Sequence, residues 1–251
     1  MLDRPDALPF LAELCAASRR ITVLTGAGIS TECGVPDFRS PGSPWLVHKP
    51  IGFEEFLADP AARAESWRRK FAMDDLYRGA RPGRCHHALT RLAHSGRLVA
   101  VATQNIDGLH QAAGLDDHRL IELHGNGTFA RCLSCDERFE LADVRRHLDT
   151  TGEALDCTCG GFVKSATIAF GQALDRAVIE AAARSARACD LFLAVGSSLV
   201  VRPAASLPLL ARDSGAVLVI INREPTPLDV AAHHVLRADA GDCLQALAVA
   251  H

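Results

Sequence analysis

Side chains that bind metals or carry protons lie close together near the middle of the sequence. His124 precedes the pair Cys132 and Cys135, and a second pair, Cys157 and Cys159, follows after a gap of 21 residues. A histidine with two cysteines can form a catalytic zinc site that keeps one coordination position open, whereas four thiolates close a tetrahedral site. His124 is therefore either a metal ligand or a proton-transfer group beside a metal.

The spacing of the four cysteines favours a structural zinc site. A Cys-x-x-Cys pair followed by a second pair is near the four-cysteine zinc pattern, although Cys157 and Cys159 are one residue closer than usual. This shortening leaves ligation by Cys157 open. With four thiolates the metal does not need His124, whose neutral imidazole is then free to act as a general base or to serve as a buried structural group. We interpret the other ten histidines, His86 among them, as structural.

A glycine turn, "GAGIS" at residues 26–30, follows the first apolar run of the chain. Glycines at a strand end let the backbone approach a pyrophosphate, but such turns also occur without a ligand. The third glycine, Gly34, comes later than in the usual dinucleotide fingerprint, and the acidic residue expected about 20 positions further on is missing. A dinucleotide would therefore bind differently from one in an ordinary dehydrogenase.

Two polar stretches follow apolar segments in the same way. The loop "GVPDFRS" combines an acid, an aromatic ring and a guanidinium, which suits a lid over a cofactor or a surface loop with an Asp–Arg pair. The stretch "TQNIDGLH" places two amides and a carboxylate where a strand opens, as either caps or ligand contacts. Such groups supply the donors and acceptors that a carboxamide needs.

Five short apolar runs predict the sheet that positions these groups: "ITVLTGAG", "LVAVATQN", "LIELHGN", "LFLAVGSS" and "VLVIIN". Continuous rather than alternating apolar residues are typical of strands buried on both faces of a parallel sheet. Helical segments such as "RCHHALTRLAHSG" and "DRAVIEAAARSARACD" lie between them, which predicts a doubly wound, Rossmann-like α/β fold. We expect residues 1–34, 84–130 and 165–251 to form this domain, and 35–83 (helical) and 131–164 (zinc-binding) to form a smaller one.

Charge, hydrophobicity and cysteine content limit the binding partners and the cellular compartment that we expect. The net charge of −3 argues against a nucleic-acid ligand held by bulk electrostatics. No segment approaches the roughly 18 apolar residues of a membrane span, and the N-terminus does not resemble a secretory signal. The nine cysteines suit a reducing compartment with one metal site. We expect a cytoplasmic protein with no membrane partner, and a monomer.

Taken in order, these motifs together with "AFGQ", "GSSLVVRPAASLP" and "IIN" resemble the sirtuin family of NAD-dependent protein-lysine deacylases, bacterial type. The similarity runs from about residue 20 to the C-terminus. The segment "KSATIAFGQAL" resembles a bacterial variant in which Gln172 replaces the glutamate usual in the family. The resemblance implies a large Rossmann-like domain and a small domain with a helical part and a zinc part.

The resemblance also implies residue roles. NAD would be bound as a co-substrate by Gly26, Ala27, Gly28, Thr31, Asp37, Phe38, Arg39, Gln104, Asn105, Ile106, Asp107, Gly196, Ser197, Ser198, Asn222 and Cys243. Within that set, Phe38 and Arg39 would close over the nicotinamide ribose, and Asn105 and Asp107 would line the nicotinamide pocket. The acyl-lysine peptide would add as a strand along Phe170, Gly171, Leu199 and Val200.

The implied chemistry consumes NAD. The acyl oxygen attacks the ribose carbon that bears nicotinamide, and His124, with Asn105 as the second catalytic residue, then acts as base on a ribose hydroxyl. The hydroxyl attacks the alkylimidate left after nicotinamide departs, and with one water molecule the products are nicotinamide, free lysine and O-acetyl-ADP-ribose. The alternatives are a mono-ADP-ribosyltransferase or a deacylase for non-acetyl groups. The helix that holds Arg68 and Arg69 lacks the tyrosine of family members that favour acidic acyl chains, so we expect no strong succinyl or malonyl preference.

Overall fold

The computed structural model describes residues 7–37, 43–44 and 50–249 and contains two β-sheets. Its strands are β1 (Ile21–Thr25), β2 (Leu98–Thr103), β3 (Leu120–Glu122), β4 (Gly125–Cys132), β5 (Arg138–Glu140), β6 (Val163–Thr167), β7 (Leu191–Val195), β8 (Val217–Ile221) and β9 (His234–Leu236). Six of them form a parallel sheet in the order β3-β2-β1-β7-β8-β9, and the other three form a sheet in the order β5-β4-β6. All five predicted strands are present.

The order of the large sheet creates a crevice between β1 and β7. The chain passes outward from β1 through β2 to β3, and it later returns to pair β7 with the other side of β1. At such a reversal the loops after two neighbouring strands diverge, and α/β sheets bind ligands there. The loops beginning at Gly26 and at Gly196 leave the sheet at this point.

Helices cover both faces of the large sheet, as a doubly wound fold requires. The helices are α1 (Ala7–Ala17), α2 (Phe53–Ala58), α3 (Pro60–Leu76), α4 (Arg84–His94), α5 (Leu109–Ala112), α6 (Leu141–Thr151), α7 (Arg176–Ala188), α8 (Leu207–Asp213) and α9 (Ala240–Val249). Buried residues of α1, α4 and α9 pack with Val23 on one face, and those of α7 and α8 pack with Leu24 on the other. Adjacent residues of β1 thus face opposite cores, which explains the continuous apolar runs.

A separate apolar core joins the two stretches that interrupt the sheet. Trp67 and Phe71 of α3 pack with Val144 of α6 and Val163 of β6, and the Trp67 indole N–H donates to the Val163 carbonyl over 3.2 Å. The helical and cysteine-rich stretches therefore share one core. The three-stranded sheet of this lobe begins at residue 125 and ends at residue 167, outside the expected limits of 131 and 164.

No helix in the described ranges is both long enough and apolar enough to cross a membrane.

Candidate functional site

Two glycines allow the loops after β1 and β7 to touch. The Gly26 N–H donates to the Val195 carbonyl over 3.1 Å, and the Gly28 N–H donates to the Gly196 carbonyl over 2.9 Å. A Cβ atom on Gly26 would lie 2.7 Å from the Gly196 oxygen, and one on Gly28 would lie 2.8 Å from the Gly196 Cα. The turn therefore needs glycine at both positions for close backbone contact with the loop after β7.

A hydrogen-bonded cluster of polar side chains lies where β1 and β2 end. The Asn105 amide donates to the Gly26 carbonyl over 3.1 Å and to the Ser30 hydroxyl over 3.2 Å. The Ser30 hydroxyl donates to Asp107 over 2.7 Å, and the other oxygen of Asp107 accepts the Leu109 N–H over 2.9 Å. The structure thus brings together Asn105 and Asp107, which we predicted to line one pocket.

Ser30 and His86 belong to this cluster, although from the sequence we assigned Ser30 no role and interpreted His86 as structural. His86 is fully buried, and its Nδ1 accepts the Gly83 N–H over 3.2 Å. Its Nε2 therefore carries the proton and faces the Ser30 hydroxyl at 3.5 Å. Burial lowers the pKa of His86, so the ring is neutral near pH 7. Ser30 closes the "GAGIS" motif, and that polar position was the available signal.

Gln104 links the ends of three strands. Its backbone N–H donates to the Thr25 carbonyl of β1 over 3.0 Å, and its side-chain amide donates to the Ser197 hydroxyl beyond β7 over 2.7 Å. The Ser197 hydroxyl also accepts the Leu199 N–H over 3.2 Å. Gln104 and Ser197, both predicted to contact NAD, therefore lie side by side across the crevice.

His124 follows β3 and reaches the same region. Its Nδ1 lies 3.0 Å from the Gln104 carbonyl oxygen, which can only accept, so Nδ1 carries the proton and Nε2 keeps a lone pair. Burial lowers the pKa of His124 below its ordinary value of 6.5, and the bond to the Gln104 carbonyl partly opposes that effect. His124 is therefore a neutral imidazole near pH 7 with the electronic form of a general base.

The four clustered cysteines meet in the small lobe. Their sulfur atoms all lie within 4.8 Å of one another, with Cys132 at 3.5 Å from Cys159 and Cys135 at 3.6 Å from Cys157. A zinc ion bound to four sulfurs at about 2.3 Å holds them about 3.8 Å apart, so the set fits structural zinc. Cys157 occupies its place in the cluster despite the short spacing.

Other predicted cofactor residues surround the crevice through local contacts. The Thr31 hydroxyl donates to the Gly28 carbonyl over 3.1 Å, and the Ile106 carbonyl accepts the Gly127 N–H over 2.8 Å. Asp37 precedes the undescribed segment, and its carbonyl accepts the Ser43 hydroxyl. Phe38 and Arg39 lie outside the described residues.

The predicted contacts at the adenosine end differ in accessibility. Asn222 follows β8, is half-buried, and donates its amide to the Glu224 carbonyl over 2.7 Å. Cys243 is fully buried in the core beneath α4, where burial raises the pKa of its thiol to about 12. The Cys243 side chain is therefore a packing group, and its backbone N–H donates to the Asp239 carbonyl over 3.2 Å.

The segments predicted to bind peptide expose apolar side chains. Phe170 is 63% exposed and Val200 is 53% exposed, whereas Leu199 is only 3% exposed and has a positive φ of 53°. The Phe170 carbonyl accepts the Phe53 N–H over 2.9 Å, which ties this segment to the start of α2. Leu199 can thus offer a peptide its backbone alone.

Known proteins share both the sequence and this architecture. A model of the Sir2 family matches residues 26–203. The NAD-dependent protein deacetylase 1 of Bradyrhizobium diazoefficiens is 52% identical over 243 residues, which cover 96% of this chain and 95% of that protein. The NAD-dependent protein deacetylase of Rhodopseudomonas palustris is 51% identical over 235 residues, which cover 93% of each chain.

The structure of a Sir2 enzyme with a p53 peptide and NAD+ superposes with a TM-score of 0.83 at 35% identity, covering 94% of this chain and 95% of that one. The identity, the near-complete coverage and the shared fold all point to the same family. The chain belongs to the Sir2 family, the sirtuins.

Proposed function

We propose that this protein is an NAD-dependent protein-lysine deacetylase in which His124 is the general base. The observation that carries the proposal is the neutral His124 imidazole, which is fixed by the Gln104 carbonyl beside the crevice and has Nε2 unprotonated. The deacetylase relatives and the Sir2 complex with peptide and NAD+ support the activity.

The nicotinamide end of NAD would lie against the cluster at the ends of β1 and β2. Both donor bonds of the Asn105 amide go to protein acceptors, so its oxygen is the atom left for a ligand. Asp107 is oriented by Ser30 and by the Leu109 N–H, which suits a carboxylate that accepts the carboxamide N–H. These contacts support Asn105 and Asp107 as the nicotinamide-binding pair.

The rest of the dinucleotide would extend across the crevice towards β8. Gly26, Ala27 and Gly28 would border the phosphates, because their turn lies where the loops after β1 and β7 meet at the topological switch point. We assign phosphate and ribose contacts to Gly196, Ser197 and Ser198, and further cofactor contacts to Thr31, Asp37, Phe38, Arg39, Gln104, Ile106, Asn222 and the backbone of Cys243.

NAD supplies a ribose carbon with a good leaving group and a ribose hydroxyl. His124 Nε2 would take the proton from that hydroxyl, since it is the unprotonated nitrogen of the ring. The Gln104 carbonyl would then stabilise the imidazolium through the Nδ1 proton and hold the ring orientation. The protein thus contributes orientation and one proton acceptor.

The acyl-lysine peptide would bind along Phe170–Gly171 and Leu199–Val200 by backbone pairing, which tolerates many sequences. The exposed rings and methyl groups of Phe170 and Val200 offer apolar contact on either side. Gln172 keeps its side-chain oxygen on the Ala169 N–H at 3.0 Å, so it shapes this turn without a charge. We expect little preference for charged residues next to the acyl-lysine.

Cys132, Cys135, Cys157 and Cys159 would hold one zinc ion, closing its coordination and fixing β4 to the loop before β6. We further propose that residues 1–34, 84–130 and 165–251 act as the NAD-binding domain, with 35–83 and 131–164 as the small domain. The protein would work as a cytoplasmic monomer that binds no nucleic acid. Its net charge of −3 supports the absence of a nucleic-acid ligand.

Nicotinamide release tests the proposed function. The purified protein would be incubated with NAD and either an acetyl-lysine peptide or the same peptide with unmodified lysine. We expect nicotinamide and O-acetyl-ADP-ribose, identified by mass spectrometry, only with the acetylated peptide. Equal release with both peptides would instead indicate a glycohydrolase or a mono-ADP-ribosyltransferase.

A further inference from the structure

His110 is a buried histidine that the reaction proposed above does not use. It belongs to α5 and is only 2% exposed. Its Nε2 lies 3.1 Å from the Thr25 hydroxyl. Its Nδ1 is the one fully buried side-chain nitrogen or oxygen in the described part of the chain that has no hydrogen-bond partner. A polar ring placed so deeply with one nitrogen unpaired needs a reason beyond filling space.

Two hydroxyl groups connect His110 to the backbone of Asn105. The Thr25 hydroxyl donates to the Thr103 hydroxyl over 2.9 Å, and the Thr103 hydroxyl accepts the Asn105 N–H over 3.1 Å. Thr25 and Thr103 are the last residues of β1 and β2 and pair directly with each other. The ladder of His110, Thr25 and Thr103 therefore crosses the sheet where the cofactor crevice begins.

The direction of these hydrogen bonds determines which tautomer of His110 is present. Because Thr25 gives its proton to Thr103, its oxygen accepts from His110, whose Nε2 must then carry the ring proton. Nδ1 is left with a lone pair, which is less costly to bury unpaired than an N–H group. Burial lowers the pKa of His110 to about 3, and the ring therefore stays neutral.

The same ring also contacts the second buried histidine. His110 and His86 pack edge to face with ring centroids 5.0 Å apart. His86 faces Ser30, which in turn donates to Asp107. One histidine thus leads to the backbone of Asn105, and the other leads to the carboxylate of Asp107.

We propose that His110 is a positioning residue for the nicotinamide end of the cofactor site. Through Thr25 and Thr103 it holds the Asn105 backbone, and with it the stretch that carries the Asn105 and Asp107 side chains. The proposal deepens the proposed function and rests on it. It requires the Nε2–H donor itself, and an apolar side chain of similar size will not replace it.

Two substitutions at one position separate the donor from the bulk. His110→Leu fills the space without a donor, whereas His110→Gln places an amide N–H close to the position of Nε2. We expect His110→Leu to lower kcat/KM for NAD and to weaken nicotinamide inhibition, each about tenfold, as loss of one buried hydrogen bond would. The KM for the acetylated peptide should change less than about twofold, and His110→Gln should stay within about threefold of the wild type in every constant.

Further variants keep the test decisive. Thr25→Val removes the central hydroxyl with little change of shape, and we expect the same loss as for His110→Leu, even if His110→Leu does not fold. Val219→Ala, in the core of β8, controls for lost stability and should leave the constants of the folded enzyme unchanged.

Wild-type constants in Thr25→Val, or equal losses in His110→Leu and His110→Gln, would overturn the proposal. If the wild type itself shows no deacetylation, the proposed function fails. Calorimetric NAD affinity, lowered in Thr25→Val and retained in His110→Gln, then still tests the role of His110.

Discussion

His124 and Cys132 lie eight residues apart in the sequence, yet one belongs to a cluster of histidines and polar groups and the other to a cluster of four cysteines. At the crevice, His86 and His110 are buried and His124 is half-buried, and desolvation lowers the pKa of all three rings. In the small lobe, four sulfurs gather with no histidine among them, and Cys135 and Cys159 are exposed. One site combines neutral imidazoles with the Asp107 carboxylate, and the other needs thiolates that a metal ion neutralises.

The separation of the two sites is produced at the start of β4. Gly125 has a φ of 73°, and a Cβ atom there would lie 2.1 Å from the Ala166 carbonyl oxygen. The strand therefore leaves His124 at the crevice and runs directly into the small lobe. Neighbours in sequence become members of different sites because the chain crosses between lobes at this residue.

Metal removal should produce the largest effect and should act on the small lobe first. Structural zinc contributes on the order of 10 kcal/mol to folding in small zinc-binding domains. We expect Cys132→Ala, or chelation of the wild type, to abolish zinc binding and cooperative unfolding of this lobe, as followed by metal analysis and calorimetry. Cys15→Ala, which removes a buried thiol beneath the large sheet, should keep about one zinc ion per chain. If the metal-free protein melts at the same temperature as the wild type, the four cysteines do not hold a structural metal ion.

Loss of the proposed base should be the next largest effect and should leave the small lobe unaltered. His124→Ala removes the unprotonated Nε2, and general-base catalysis typically contributes about 10²–10⁴-fold to rate. We expect deacetylation to fall by that factor while zinc content and melting temperature stay at wild-type values. His94→Ala, an exposed histidine at the end of α4, serves as the matched control with full activity. Retained activity in His124→Ala would exclude the proton-transfer role.

The pH profile should show a smaller effect that distinguishes the two sites further. His124 acts as a base only when unprotonated, and burial places its folded-state pKa below 6.5. The kcat/KM for deacetylation should therefore rise with pH through a midpoint below 6.5 and level off above it. The midpoint should match the His124 pKa measured by NMR on the free enzyme. A midpoint clearly above 6.5 would mean that another group controls the rate.

The sheet could be predicted because its strands are buried on both faces. Five strands are continuous apolar runs, which is the direct trace of such burial. β9 was not predicted, since His234–Leu236 is too short and too polar at its start to form such a run. The small lobe could be recognised only as an interruption of the strand–helix pattern, because its core forms between residues far apart in sequence. Trp67 of α3, for example, bonds to Val163, which lies 96 positions further along the chain.

The positions of the candidate site residues could be predicted where those residues end a strand. Asn105, Asp107 and His124 all follow apolar runs, and the parallel sheet brings such positions to one edge. The contact of His86 with Ser30 joins residues 56 positions apart and leaves no local pattern. The glycines of "GAGIS" were correctly noted as a turn, but their contact with Gly196 depends on the pairing of β1 with β7. Pairings of this kind are properties of the fold.

X-ray absorption at the zinc edge tests the separation of the two sites most directly. The spectrum would be recorded for the wild type and for His124→Ala under identical conditions. We expect four sulfur ligands at about 2.3 Å and no nitrogen ligand in both proteins, because the sulfur cluster closes the coordination by itself. A nitrogen ligand in the wild type that disappears in His124→Ala would show that His124 binds the metal, and would contradict its assignment as the base.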